Sequence, residues 1–175
     1  MVKPRVAIFD FACCEGCQLQ IVNMEEGILD LLSVIRPVEW REAMSDKAES
    51  SESFDIALVE GSITREEDAE RLREIRYRAK FLVALGACAT MGGVNKLKNN
   101  FGINDVKQTV YGEDAEASQL DTAPVRSVGE VVPVDFMIPG CPIEADELVM
   151  VIKSLLVGKT PRLPDHPVCV ECKMK

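Results

Sequence analysis

Four short, largely apolar runs, Arg5 to Phe9, Phe54 to Glu60, Phe81 to Leu85 and Val131 to Ile138, each lead into a glycine-bearing turn. They are too short for buried helices and carry the β-branched content of buried strands. Between them the sequence turns helical. Leu19, Val22, Leu29 and Leu32 place a helix over Gln18 to Leu32, and Thr64-Arg-Glu-Glu67 has the capping-box pattern for a helix running to about Ala79. Leu148, Val151, Ile152 and Leu155 fall on one side of a helix from about Glu144 to Val157, with Gly158 as its stop. A further strand fits Val34 to Trp40, where Pro37 confines it to an edge or a bulge. Strands alternating with helices imply an α/β fold with an open parallel sheet and helices on both faces. Asp46 to Ser53 and Ala89 to Gly93 read as loops. Asn99 to Glu130 reads as a long irregular insertion that packs against something, and Pro161 to Lys175 as an extended tail. The organisation is one domain over residues 1–158 with an irregular C-terminal arm over 159–175.

The 175 residues suffice for one buried core, and 47 % hydrophobic with 28 % charged residues is a globular balance. A net charge of −9, no Lys/Arg cluster and 5 % aromatics argue against nucleic acid or an anionic membrane as the main partner. No apolar run approaches the roughly 20 residues of a membrane span. Val6 to Phe9 reads as a strand rather than the apolar part of a leader, so the expected compartment is the cytoplasm. Seven cysteines in such a chain point to metal or redox chemistry rather than to disulfides.

Where the cysteines fall is the informative part. Cys14 with Cys17, Cys88, and Cys141 each lie just past the C-terminal end of an expected strand, the edge at which open parallel sheets bind ligands. Three loops would bring four thiols to one side of the sheet, and Gly16, Gly86 and Gly140 would let backbone approach a bulky ligand. Four thiolates together need a cation or a cluster, and both an all-cysteine zinc site and an iron–sulfur cubane satisfy that. Structural zinc usually draws on two short knuckles, whereas here two ligands come singly from remote loops. A cubane, with each ligand on a different iron, suits that arrangement better.

Other residues are read more plainly. Cys13 is expected to be a buried apolar thiol behind the site. Cys169 and Cys172 form a second CxxC, open to three readings: half of an additional metal site completed elsewhere, a redox pair, or a tail without a role. His166, the single histidine, is expected to be solvated, and Glu66, Glu67, Arg71, Arg73 and Arg76 a solvated helix face. With one tail histidine there is no Ser-His-Asp or Cys-His pairing, and no Gly-x-Gly-x-x-Gly follows a strand, so catalytic residues are not expected in this chain.

Cys14-Glu-Gly-Cys17, Val59-Glu-Gly61, Gly86-Ala-Cys88-Ala and Pro139-Gly-Cys-Pro142, in that order, resemble the small subunit of cytoplasmic nickel–iron hydrogenases of the NAD-reducing, methyl-viologen-reducing and sulfhydrogenase delta kinds. They resemble less closely the related 20 kDa subunit of respiratory complex I. The resemblance implies a flavodoxin-like domain with one proximal 4Fe–4S cluster on Cys14, Cys17, Cys88 and Cys141, and with Glu60 near that cluster and the subunit contact. On the residues alone, Glu60 could equally cap a turn. The implied partners are a large subunit with the nickel–iron site and further iron–sulfur or flavin subunits, so the chain would be an oxidoreductase subunit that relays electrons. Two departures stand out: the adjacent pair Cys13-Cys14, as in complex I subunits, and the CxxC at Cys169, which opens like the cluster-bearing extension of longer relatives. The competing readings are a complex-I-like quinone-reducing subunit, a zinc-stabilised binding module without redox activity, and, least favoured, a flavin carrier.

Overall fold

A computed structural model describes residues 3–45, 48–49, 52–116 and 121–163. Its elements are β1 (Arg5–Asp10), α1 (Gly16–Val22), α2 (Glu26–Val34), β2 (Arg36–Trp40), β3 (Phe54–Glu60), α3 (Glu66–Arg78), β4 (Ala79–Leu85), α4 (Gly86–Met91), α5 (Ile103–Tyr111), β5 (Phe136–Ile138) and α6 (Ala145–Leu156). Short 3-10 turns cover Val94–Asn100, Gly112–Glu116 and Val128–Glu130. The sheet has five strands in the order β2-β1-β3-β4-β5, all parallel. This is the flavodoxin-like doubly wound order, which reverses between β1 and β3.

Strand alternation divides the core into two layers. Val6, Ile8, Ile56, Leu58, Val83, Leu85 and Ile138 face α1, α2 and α6, meeting Ile21, Leu31, Leu148, Val151 and Ile152. Ala7, Phe9, Ala57, Val59, Leu82 and Ala84 face α3, meeting Ala69, Leu72 and Ile75. Each fully buried Leu or Ile side chain contributes about 1.5–3 kcal/mol, which outweighs the weak intrinsic propensity of these short helices. In α6 the expected stripe is the buried one, with Asp146 and Glu147 in the first turn and Lys153 in the last, favourable for the helix dipole. β2 is an edge strand, and its register against β1 shifts between Val6 and Ala7, beside Pro37, whose missing N–H cannot serve a regular ladder.

Four local expectations are corrected. The helix expected over Gln18 to Leu32 is two helices, broken at Asn23 to Glu25, where Glu25 takes a positive φ of 52°. With the phase broken, the buried residues are Cys17, Gln18, Ile21 and Leu31, while Leu29 of the expected stripe is 67 % exposed. Helix α3 starts at Glu66 with Arg65 as N-cap and without a side-chain cap, so Thr64 closes no capping box. Ala89 to Gly93 belongs mostly to α4 rather than to a loop, and the insertion Asn99 to Glu130 contains the regular helix α5. The Asp46 to Ser53 segment lies only partly, and residues 164–175 not at all, within the described residues. Pro161 is buried and Leu163 packs on the α6-side core. Among the described residues no helix is long and apolar enough to cross a membrane.

Candidate metal centre

The site is built from one rung of the sheet. Asp10 pairs with Glu60, Glu60 with Leu85, and Leu85 with Ile138, so β1, β3, β4 and β5 end level with one another. The four candidate thiols follow that rung within a few residues: Cys14 and Cys17 after Asp10, Cys88 after Leu85, Cys141 after Ile138.

Backbone hydrogen bonds fix the loops to one another. Ala87 N–H donates to Gly140 O at 2.7 Å, joining the Cys88 and Cys141 loops. Ala12 and Ser62 exchange N–H···O bonds of 3.1 and 3.0 Å, holding the Cys13-Cys14 loop to the exit of β3. Asn95 Nδ2 donates to Ala12 O at 2.9 Å and to Ser62 Oγ at 3.0 Å, which adds the turn after Cys88 to the same assembly. From β2's end, Arg41 pairs with Asp10 at 2.8 Å and with Glu15, closing the CxxC loop from outside. Beneath it the Trp40 indole N–H donates to Gln18 Oε1 at 3.0 Å. Gln18 Nε2 is buried without a hydrogen-bond partner among the described residues.

Glu60 stands at the centre of this edge. It is 2 % exposed, and β3's alternation turns it toward α1. Its carboxylate accepts N–H bonds from Cys17 at 3.1 Å and Gln18 at 3.2 Å. The first turn of α1 has no other side-chain cap, because Glu15 at the N-cap has a positive φ of 62° and makes no capping bond. Glu60 thus caps α1, and one of the two N–H groups it accepts belongs to the candidate ligand Cys17.

Burial pushes the Cys17 thiol up to about 12, opposed by the Ile143 N–H and reinforced by Glu60 and Cys88. Burial likewise raises Cys88, with the nearby Cys14, Cys141 and Glu60 adding to it. Cys17 and Cys88 thus resist ionising without a cation nearby, and Cys88 is the thiol to which Cys14, Cys17 and Cys141 are all near. Among the described residues no three or more Cys, His, Asp or Glu side chains converge at the spacing of a single bound ion. Cys17 is buried, Cys88 half-buried, and Cys14 and Cys141 exposed. Cys13 is half-buried rather than buried; burial raises its thiol to about 12, the Glu15 N–H opposes this, and Glu60, Asp10 and Glu15 add to it. Cys169, Cys172 and His166 lie outside the described residues. The supporting residues Gln18, Trp40, Arg41 and Asn95 escape sequence reading, since each gains its role only through a long-range contact.

Lys96, four residues past Gly92, pairs with Glu130 at 2.7 Å, and Glu130 also accepts from Ser127 N–H at 2.6 Å. Lys96 and then Ser127 hold the Glu130 carboxyl down at about 2, against a usual value near 4.5. A carboxyl lowered in the folded state stabilises above its unfolded pKa and loses that contribution as pH falls toward the folded one. The melting-temperature gap between wild type and Glu130→Gln should therefore be constant above about pH 5 and narrow steadily below 4.5. Thermal melts across that range check it, and a gap independent of pH would rule out the linkage.

The fold and the thiol set define a class: a flavodoxin-like domain with cysteines in place of phosphate-binding loops at its switch edge. A family model described as NADH ubiquinone oxidoreductase, 20 Kd subunit, matches residues 14–155. The chain belongs to that family. It is similar to the sulfhydrogenase 2 subunit delta of Pyrococcus furiosus, at 36 % identity over 97 % of this chain and 69 % of that protein. It is also similar to the NAD-reducing hydrogenase HoxS subunit delta of Cupriavidus necator, at 31 % identity over 93 % and 83 %. Against a chain of the F420-non-reducing hydrogenase vhu of Methanococcus voltae identity is 32 % over 97 % of this chain, which spans 62 % of that relative's length. Among solved structures, a chain of an NAD+-reducing NiFe-hydrogenase in the H2-reduced state superposes with TM-score 0.81 and 28 % identity, covering 94 % of this chain and 97 % of that one. The Ni-Fe-Se hydrogenase of Desulfomicrobium baculatum, at TM-score 0.64 and 19 % identity over 96 % and 70 %, shares the fold.

Proposed function

We propose that this chain is the electron-transfer small subunit of a cytoplasmic nickel–iron hydrogenase. It would hold one proximal 4Fe–4S cluster on Cys14, Cys17, Cys88 and Cys141. Such a cluster supplies one-electron transfer between the nickel–iron site of a large subunit and a flavin or NAD(P) acceptor module. The observation that carries this reading is the level rung from which three loops set out, each bearing one or two of the four thiols just past its strand. Two ligands delivered singly from separate loops, rather than all four from two short knuckles, favour a cubane over zinc. Relatives at 30 % identity and above with hydrogenase names favour it over the quinone-reducing reading. The chain's own work is to hold and orient the cluster: the loop glycines admit it, and Glu60, Arg41 and Asn95 keep the ligand loops from shifting.

A partner surface is supported by where apolar residues stay exposed. Directly after Cys88, Met91, Val94, Leu97 and Phe101 are 60 %, 72 %, 60 % and 69 % exposed. A run of such residues beside exposed Cys14 and Cys141 fits burial under a large subunit, which would also exclude water from the cluster. Phe101→Asp should weaken association with the large subunit by roughly thirtyfold, a loss of about 2 kcal/mol, while leaving the cluster spectrum of the free subunit intact. Titration of the two purified subunits reads this directly, and unchanged affinity would remove Phe101 from the interface.

The function itself is tested by co-expressing the chain anaerobically with a nickel–iron hydrogenase large subunit and assaying hydrogen-dependent viologen reduction. Activity that depends on both chains, and that Cys141→Ala abolishes, is the expected result. Full activity with the variant would refute an electron route through this chain.

A further inference from the structure

Glu60 is an odd residue for its place. It ends a central strand, in a rung whose other members on β4 and β5 are Leu85 and Ile138, both fully buried and apolar. A carboxylate there carries a desolvation cost that an apolar residue would avoid, so its partners indicate what it does. Those partners are the N–H groups of Cys17 and Gln18, at 3.1 and 3.2 Å. The same carboxylate acts electrostatically on Cys13, Cys17 and Cys88.

Two effects follow for anything held by these thiols, and they have the same sign. Amide N–H groups that point at cluster sulfur raise a reduction potential, and Glu60 occupies two such groups at the ligand-bearing turn. A buried negative charge beside the ligands also opposes the arrival of an electron. Resting on the cluster reading above, we infer that Glu60 is a positioning residue that fixes Cys17 through the first turn of α1 and holds the cluster's reduction potential low. The capping contact fixes the sulfur, and the charge together with the captured N–H groups sets the potential.

The variants separate these two roles. Glu60→Gln keeps the size and an acceptor oxygen but not the charge; Glu60→Ala removes both. In the purified hydrogenase complex, iron content and a potentiometric EPR titration are measured for each. Glu60→Gln should carry iron like wild type with a midpoint shifted to more positive potential. Glu60→Ala should shift at least as far and lose iron to a chelator roughly tenfold faster, the usual scale for residues that orient a metal ligand. A loaded Glu60→Gln complex with an unchanged or more negative midpoint overturns the inference. Should Glu60→Gln not load, Glu60→Ala decides, since it removes the charge and frees both N–H groups: a more positive midpoint supports the inference, and an unchanged or more negative one overturns it. Wild type without any cluster signal refutes the cluster reading instead, so the two failures are distinguishable.

Discussion

Cys88→Ser is expected to abolish the cluster's visible absorption and its EPR signal while leaving a folded protein. Cys88 is the thiol that neighbours all the others: Cys14 and Cys141 oppose its ionisation, and it opposes that of Cys17. A serine hydroxyl at this hub offers no thiolate at neutral pH, so one corner of the proposed cluster would lose its ligand. The fold survives because α4 depends on backbone contacts. Its closing bond, Gly92 N–H to Cys88 O at 3.0 Å, does not involve the side chain, and Ala89 stays fully buried. Circular dichroism and thermal melting should therefore match wild type within about 1 kcal/mol. Cys13→Ser is the control, since Cys13 is not among the proposed ligands, and it should retain the signal. An intact EPR spectrum in Cys88→Ser, or its loss in Cys13→Ser, would reassign the ligand set.

Gly86→Ala should damage the site from the scaffold side. Gly86 has a φ of +76°, a conformation that costs an L-residue about 1–2 kcal/mol. The larger problem is the neighbourhood: an added Cβ would overlap Cys17 Sγ and lie 3.4 Å from Gly140 O. Neither can retreat freely, because the Cys17 N–H is held by Glu60 and Gly140 O accepts the Ala87 N–H. The expected outcome is a stability loss of about 1–3 kcal/mol by denaturant titration. Iron retention should also weaken at least about tenfold. Gly158→Ala gives the comparison. Its φ of +68° carries similar backbone strain, yet among the described residues nothing lies within 4 Å of the added Cβ, so it should cost stability without touching the cluster. Equal iron retention in Gly86→Ala and Gly158→Ala would mean that Gly86 is needed for its backbone alone.

Much of this was legible from the sequence because the constraints are local. The apolar runs that became β1, β3 and β4 are buried on both faces, so they announce themselves without regard to partners. Helix α6 shows its stripe, its charged ends and its glycine stop within 14 residues. The thiols could be placed at one edge because each follows a strand end, and strand ends are where parallel sheets converge. What was not legible needed distant partners. The break at Asn23 to Glu25 carries no proline or glycine, and before it α1 already buries Cys17, Gln18 and Ile21 and leaves Leu19 and Val22 toward solvent. Thr64 to Glu67 fits a capping box locally, but helix α3 begins later and its end is tied to other elements, Arg126 reaching Glu66 at 2.8 Å. Arg41 looks like any surface arginine until β2 lies beside β1 and brings it to Asp10. Glu60 was noticed through its motif, but its capping of α1 from a different strand could not be read from spacing.

The central claim is that Cys14, Cys17, Cys88 and Cys141 together hold one cubane cluster. Iron, acid-labile sulfide and zinc analysis of the anaerobically prepared chain, combined with EPR after dithionite reduction, tests it most directly. About four iron and four sulfide per chain are expected, with the rhombic signal of a reduced cubane. Any of the four single alanine variants should lose that signal. A colourless protein with one zinc per chain, or a cubane signal that survives replacement of any of the four cysteines, would contradict it.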